Sequence, residues 1–116
     1  MKLRLRLLIG AQVALGPGKA DLLEQIAETG SISAAGRAMK MSYKRAWSLV
    51  EEMNAAFRDP LVSRSRGGPK GGGAELTETG RAVLKHFRNI ERAAREAGGE
   101  DFAAIAKLRR DAAPQK

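Results

Sequence analysis

The side chains of this chain that could do chemistry are cations and hydrogen-bond donors rather than nucleophiles. Its 116 residues include no cysteine and a single histidine, His86. A disulfide scaffold, thiolate catalysis and cysteine-bound zinc are therefore excluded, and a Ser-His-Asp triad or a histidine metal site lacks the partners it needs. We expect no catalytic residues, no cofactor and no metal site.

The first group of donors lies in MSYKRAW, residues 41–47. Ser42, Lys44 and Arg45 fall within one helical turn of each other. Arginine can donate two parallel hydrogen bonds to guanine, and lysine suits a phosphate as a compact point charge. The segment favours contact with nucleic acid, with an ordinary solvated helix face as the alternative.

The second group lies in the glycine-rich stretch RSRGGPKGGG, residues 64–73, which carries Arg64, Arg66 and Lys70. Glycine lets a backbone approach a sugar-phosphate surface closely. The stretch matches neither GxxxxGK[ST] nor GxGxxG, which argues against a nucleotide-binding or phosphoryl-transfer enzyme. Because LVS precedes it and AELT follows it, we interpret it as the tip of a β-hairpin.

The positive charge is concentrated around these two groups. Of the formal net charge of +8, the stretch from Arg37 to Lys70 supplies +5, from eight basic and three acidic residues. Such a concentration favours a nucleic-acid partner. A non-specific architectural protein that binds DNA or RNA by charge remains a second possibility, and a structural interaction module a third.

The elements that must position these side chains can be read from hydrophobic periodicity. The alternation in KLRLRLLI predicts an edge strand over residues 2–9, with Leu3, Leu5, Leu7 and Ile9 on its inner face. A first helix follows over residues 19–29, with Gly30 as its C-cap. Ser31 or Ser33 can cap a short second helix, whose inward positions are Ile32, Ala35, Ala38 and Met39.

Helix three is predicted from Ser42, its N-cap, to Phe57. Its core-facing stripe comprises Tyr43, Trp47, Val50, Met53 and Phe57, and its polar face comprises Ser42, Lys44, Arg45, Ser48 and Glu52. Tyr43, near the helix start, could contact DNA instead.

LVSRS at 61–65 and AELT at 74–77 are predicted to pair as strands. Thr77 can then cap a fourth helix that ends at Ala97, before Gly98-Gly99. DFAAIAKLRR predicts one more short helix. Helix four carries an apolar stripe (Val83, Phe87, Ile90, Ala94, Ala97) and a basic stripe (Arg81, Lys85, Arg88, Arg92, Arg95).

GSISAAGRAM, MSYKRAWSLVEEMN and PLVSRSRGGPKGGGAELTETG, in this order, resemble the winged helix-turn-helix domain of LysR-type regulators. More closely, the chain is similar to the DNA-binding domain of the ModE molybdate-responsive transcriptional regulators, over residues 3–95. The resemblance implies a mainly α fold with a small β-hairpin wing. From this resemblance, together with the predicted helix end at Gly98-Gly99, we expect a DNA-binding domain over residues 1–97, followed by a short helix and tail over residues 98–116.

The resemblance further implies a sequence-specific DNA-binding regulator, with helix three in the major groove and the wing, residues 61–77, on the backbone or in the minor groove. The candidate DNA-binding residues are Ser31, Ser33, Ser42, Tyr43, Lys44, Arg45, Ser48, Arg64, Arg66 and Lys70.

Double-stranded DNA and a second copy of the chain are the expected partners. Members of the family commonly form dimers, here through helix one and the 77–97 helix, with Leu84, Phe87 and Ile90 as the seam. ModE-type regulators continue into a molybdate-binding region, for which this chain has no room, so we assign no oxyanion site and leave the effector open. No apolar stretch is long enough to span a membrane, and we expect a cytoplasmic location.

Overall fold

The computed structural model describes residues 2–68 and 71–110. Four helices and two small antiparallel hairpins make up the described part. In chain order the elements are β1 (Leu7–Ile9), β2 (Gln12–Leu15), α1 (Pro17–Thr29), α2 (Ile32–Ala38), α3 (Tyr43–Ala56), β3 (Val62–Gly68), β4 (Gly71–Leu76) and α4 (Glu78–Leu108).

The N-terminal segment keeps its predicted alternation but not its predicted strand. Leu3, Leu5 and Leu7 are half-buried while the basic residues between them are exposed. Strand β1 nevertheless covers only three residues and pairs with β2, with a register irregularity after Leu7. The single strand over residues 2–9 is therefore wrong, and Ile9 is exposed. Periodicity assigns a face to each residue, whereas the available partner strand decides where pairing begins and ends.

The three central helices begin and end at local signals. Helix α1 begins at Pro17 and ends at Gly30, whose φ of 71° is a left-handed conformation that glycine adopts without strain. Ser31, rather than Ser33, caps α2: its Oγ accepts the backbone N–H of Ala34 at 3.0 Å. Ser42 caps α3 in the same way, accepting the N–H of Arg45 at 3.0 Å.

The core side of α3 differs from the predicted stripe. The buried residues are Ala46, Leu49, Val50 and Met53, while Tyr43 is 53% exposed. Trp47 and Phe57 are half-buried and pack against the edge of the core. The stripe starts at Ala46 because small residues are needed where α2 crosses: a Cβ on Gly36 would lie 3.0 Å from that of Ala46.

Helix α2 buries Ile32 and Ala35, as predicted, and also Gly36. Two of its predicted inward positions differ. Ala38 is exposed and Met39 is half-buried, because the helix ends there and the chain turns toward α3.

Helix α4 does not end at Gly98-Gly99 but continues through the pair to Leu108 as a single 31-residue helix. The predicted end at Ala97 and the separate short helix are therefore wrong. Neither glycine has positive φ, and alanine, glutamate and other helix-forming residues flank the pair. Glycine inside a helix costs about 1 kcal/mol relative to alanine, which weakens a helix without having to end it.

The core lies between α1, α2, α3 and the β3–β4 hairpin, and α4 closes it with Phe87. The fully buried side chains include Leu15, Leu22, Leu23, Ile26, Val50, Met53, Leu61 and Phe87. None of the helices in the described part of the chain is long and apolar enough to cross a membrane.

Candidate nucleic-acid interface

Helices α2 and α3 form a helix-turn-helix whose second helix presents its first turn to solvent. Tyr43, Lys44 and Arg45 are exposed there, and Ser48 is half-buried one turn later. The Oγ of Ser42 is engaged as the N-cap, which fixes where the helix starts and hence where Arg45 points. The arrangement places a cation pair at the end of the helix that a major groove admits first.

The β3–β4 hairpin brings Arg64 to the same region. Arg64 lies on β3 opposite Ala74, and its guanidinium carbon is 4.4 Å from the centre of the Trp47 ring on α3. This is the geometry of a cation–π contact. This contact joins the hairpin to α3 and brings the two basic groups predicted from the sequence together.

A polar cavity of about 120 Å³ lies between these elements. Ser31, Ser33, Tyr43 and Arg64 line it, together with Gly73 of β4. The cavity therefore gathers four of the ten candidate residues. Lys44, Arg45 and Ser48 lie outside it on α3. Arg66 belongs to β3, but its side chain lies outside the described part of the structure, and Lys70 lies outside the described residues.

The hairpin is attached to α3 by one side chain that the sequence analysis missed. The Oδ1 of Asn54 accepts the backbone N–H groups of Leu61 and Val62 at 2.8 and 3.1 Å, and its Nδ2 donates to the carbonyl of Val62 at 3.2 Å. Asn54 is half-buried in the last turn of α3. In the sequence, the sign of this contact is an asparagine next to the apolar face of a predicted helix. Asparagine is a poor helix former, and a buried amide needs hydrogen-bond partners.

A second attachment joins the hairpin to α4. The backbone N–H of Thr77 donates to the carbonyl of Leu61 at 2.9 Å, and the Thr77 hydroxyl donates to that of Pro60 at 2.7 Å. Its Oγ1 also accepts the N–H of Gly80, which confirms the predicted cap. A Cβ on Gly80 would lie 2.1 Å from the Leu61 carbonyl oxygen, so only glycine allows α4 to approach this closely. The start of the wing is therefore fixed from both sides.

The basic stripe of α4 is not wholly available to a ligand. Arg88 forms ion pairs with Glu24 at 2.7 Å, Asp21 at 2.8 Å and Glu91 at 3.0 Å. Burial works against its charge, but the hydrogen bonds that Arg88 donates to the three carboxylates outweigh this and hold the pKa of Arg88 above its usual value. Arg88 thus joins α1 to α4, and within the described part Lys85, Arg92 and Arg95 remain exposed.

The acidic end of α3 lies away from the polar cavity. Glu52 pairs with Lys19 at 3.2 Å, which partly neutralises it. Among the residues that the structure describes, no group of three histidine, aspartate or glutamate side chains is placed to hold a metal ion.

A helix-turn-helix followed by a β-hairpin wing and a long helix defines a winged helix-turn-helix domain. The chain belongs to the family described as bacterial regulatory helix-turn-helix proteins, lysR family, whose profile matches residues 19–81.

Relatives and solved structures agree with this assignment. The chain is 41% identical over 78 residues to the molybdenum transport protein ModE of Azotobacter vinelandii, a match that covers 67% of this chain and 29% of that protein. It is 41% identical over 71 residues to the DNA-binding transcriptional dual regulator ModE of Escherichia coli K12, covering 61% and 27%. The chain thus spans less than a third of the length of these relatives.

A DNA-binding domain solved in complex with DNA, that of CbnR, superposes with a TM-score of 0.60 at 26% identity, covering 76% of this chain and 95% of that one. The predicted fold class and the resemblance to LysR-type and ModE regulators are confirmed.

Proposed function

We propose that this chain is a sequence-specific duplex-DNA-binding domain of a transcriptional regulator. In this proposal α3 enters the major groove and the β3–β4 hairpin contacts the neighbouring backbone or minor groove. The observation that carries it is the joint placement of Arg45, exposed on the first turn of α3, and Arg64, held beside the same helix by Trp47. A solvated helix face would not require a wing fixed against it.

The candidate residues have different proposed roles. Arg45 suits a bidentate contact to guanine, and Lys44 suits a phosphate. Ser31 and Ser42 shape the interface as helix caps, with their hydroxyl hydrogens left to donate. Arg66 and Lys70 stay in the proposal as wing contacts on the strength of the sequence alone.

The similarity to named regulators supports this function. The relative from Escherichia coli is called a DNA-binding transcriptional dual regulator, and the CbnR domain was solved on DNA. No effector follows, because the part of the relatives that this chain matches is under a third of their length. A regulator of this kind works where bacterial DNA lies, so a cytoplasmic location is part of the proposal.

A dimer is the proposed DNA-binding unit, and two apolar surfaces support it. One is a groove of about 580 Å³ between the β1–β2 hairpin and α4, lined by Leu7, Ile9, Val83, Phe87 and Ile90 among others. The other is the far end of α4, where Phe102, Ile105 and Leu108 are exposed. Surfaces of this kind on a soluble domain are typical of protein–protein contacts.

The two surfaces complement each other across a twofold axis. If two α4 helices pack antiparallel and cross at residues 94–98, Ile105 of each copy reaches the groove of the other. The crossing then falls on two small residues, Ala94 and Ala97, which permit a close approach. In such an interface each contact occurs twice. The proposed dimer contact therefore differs from the predicted seam of Leu84, Phe87 and Ile90. Phe87 is buried within its own chain, and only Ile90 of the three is exposed.

Selection of duplexes from a random library by the wild-type chain, with and without molybdate, tests the proposed function. We expect enrichment of a pseudo-palindromic site, and a log–log salt slope of about −7 if the dimer contacts about eight phosphates. Absence of enrichment, with binding that depends only on charge, would support the architectural alternative. A slope near zero would contradict nucleic-acid binding altogether.

A further inference from the structure

Arg64 occupies an unusual place on the wing. Val62 and Arg64 share one face of β3 because side chains alternate along a strand, and Val62 is buried in the core. Arg64 is the next residue on this inward face, opposite the buried Ala74. It therefore points toward α3 at the level where the hairpin leaves the core, rather than outward from the tip.

Trp47 gives Arg64 a fixed support. The indole is half-buried against the core on one side, and the guanidinium lies 4.4 Å from the ring centre on the other. A free arginine side chain has many rotamers, and ordering it at the moment of binding lowers affinity. Stacking on a ring that the core already holds removes most of that cost before a ligand arrives.

The cavity beside Arg64 is lined by donors. The Oγ of Ser31 accepts the N–H of Ala34, and the Oγ of Ser33 accepts from Nη1 of Arg37 at 2.8 Å. Among the described residues neither hydroxyl donates a hydrogen bond, so each has a lone pair engaged and its hydrogen left to donate. With the phenol of Tyr43 and the guanidinium of Arg64, the described part of the lining offers several donors and one positive charge.

We propose that this cavity holds one phosphate group of the DNA backbone, with Arg64 as its charged ligand and Trp47 as the positioning residue for Arg64. Oxygen atoms of a phosphodiester accept hydrogen bonds and carry negative charge, which matches a lining of hydroxyl donors and one guanidinium. The site fixes the register of α3 in the groove without reading a base. This inference rests on the proposed DNA-binding function and names the group that the α3–wing junction holds.

The stack can be tested without DNA, because Trp47 is the only tryptophan of the chain. Arg64→Ala should change the intensity or wavelength of its fluorescence emission, whereas Arg58→Ala, which removes an exposed arginine elsewhere, should leave the spectrum unchanged. Identical spectra for Arg64→Ala and the wild type would contradict the positioning role.

The phosphate is tested with duplexes recovered by selection with the wild-type chain, in which one phosphate at a time is replaced by a neutral methylphosphonate. For the wild type, one replacement per half-site should cost about ten-fold in affinity beyond its neighbours, the size of a charge-assisted hydrogen bond. Arg64→Ala should lose a similar factor on the unmodified duplex and show no further loss at that position. An unchanged profile of sensitive positions in Arg64→Ala would overturn the site.

Trp47→Leu separates positioning from folding. It should weaken binding about five-fold through the lost stack, and Trp47→Phe, which keeps an aromatic face, should recover most of this. In the Arg64→Ala background Trp47→Leu should cost nothing more. If the two losses instead multiply, Trp47 does not act through Arg64. Should Trp47→Leu fail to fold, as judged by melting temperature, Trp47→Phe and the Arg64→Ala profile still decide the matter.

The two levels of the proposal fail differently. If the wild-type chain enriches no duplex, the proposed function fails and the phosphate site fails with it. If the wild type binds a selected site but no single phosphate depends on Arg64, only the site inferred here fails.

Discussion

The side chains of Arg45 and Arg64 are positioned in different ways, and we therefore expect their substitutions to affect DNA binding differently. Arg45 projects from the first turn of α3, outside the polar cavity, and its side chain has no hydrogen-bond partner among the described residues. Arg64 rests on Trp47 at the edge of that cavity. The first is free to follow the edge of a base, while the second is directed at one fixed point.

Arg45→Ala should therefore relax sequence preference at particular base pairs, by about 1–3 kcal/mol of discrimination. The measurement is the affinity for a set of single-base-pair variants of the selected site, at one salt concentration. Arg64→Ala is the matched control and should weaken binding to all variants by a similar factor. A uniform loss in Arg45→Ala would refute its base-reading role.

Asn54 bears on stability rather than recognition. Its amide makes three hydrogen bonds to the start of β3, and truncation leaves the N–H groups of Leu61 and Val62 without their acceptor. Asn54→Ala should lower the free energy of unfolding by about 2 kcal/mol, measured by urea denaturation.

Asn89→Ala provides the control for this change. It is the same substitution inside a helix, at a position whose side chain, among the described residues, only accepts a hydrogen bond from Arg92. It should leave stability within about 0.5 kcal/mol of wild type. Equal effects of the two substitutions would mean that the hydrogen bonds of Asn54 contribute nothing to the free energy of unfolding.

For single residues, the sequence predicts the features that depend only on residue type and near neighbours in the chain. Ser42, Thr77 and Gly30 are helix-end residues by type, and the structure confirms all three. Whether Tyr43 is buried or exposed is not decided by its local sequence. It depends on where α2 crosses α3, and Ala46 with Gly36 determines that crossing. The Trp47–Arg64 stack joins residues of different elements, so no spacing rule predicts it.

Among the elements, α4 shows that the structural role of a glycine depends on the atoms that surround it. A Cβ on Gly80 would lie too close to the Leu61 backbone, whereas no described residue outside the surrounding helix backbone lies within 4 Å of a Cβ built on Gly98. The same residue type is thus a packing requirement at one end of the helix and a simple weakness in its middle.

Gly80→Ala and Gly98→Ala should consequently have opposite effects. The first should destabilise the fold by about 2–3 kcal/mol because the wing must move away from α4. The second should stabilise the helix by about 0.5–1 kcal/mol through lost backbone freedom in the unfolded chain. Melting curves and helical ellipticity measure both. A loss of helix in Gly98→Ala would show that α4 ends at Gly98 after all.

The basic stripe of α4 illustrates a limit on predicting a helix in isolation. Periodicity places Arg88 with four other cations, and this much is correct. The carboxylates of Asp21 and Glu24 that engage it lie more than 60 positions earlier in the chain. Only the packing of α1 against α4 reveals that Arg88 is an internal link.

For the whole molecule, the first property to test is the self-association of the chain into the proposed dimer. Ile105→Asp places a charge on the exposed apolar end of α4 and occurs twice per dimer. Because burying each isoleucine contributes about 1.5 kcal/mol or more, the dimer should weaken about a hundred-fold. Sedimentation equilibrium of the full chain measures this.

Ala103→Asp introduces the same charge on the opposite face of the same helical turn, where the residue is also exposed. It should leave the mass distribution of the wild type unchanged. Equal weakening by both variants would point to charge repulsion alone, and a wild-type chain that is monomeric at every concentration would contradict the twofold arrangement.

The net charge of +8 ensures some affinity for any nucleic acid, so affinity alone cannot test the central claim of sequence-specific DNA binding. The most direct measurement is the ratio of dissociation constants for a scrambled duplex and the selected duplex of equal length, at one salt concentration near physiological. We expect a preference of about 10³-fold or more for the selected duplex, and a ratio near one would contradict sequence-specific binding.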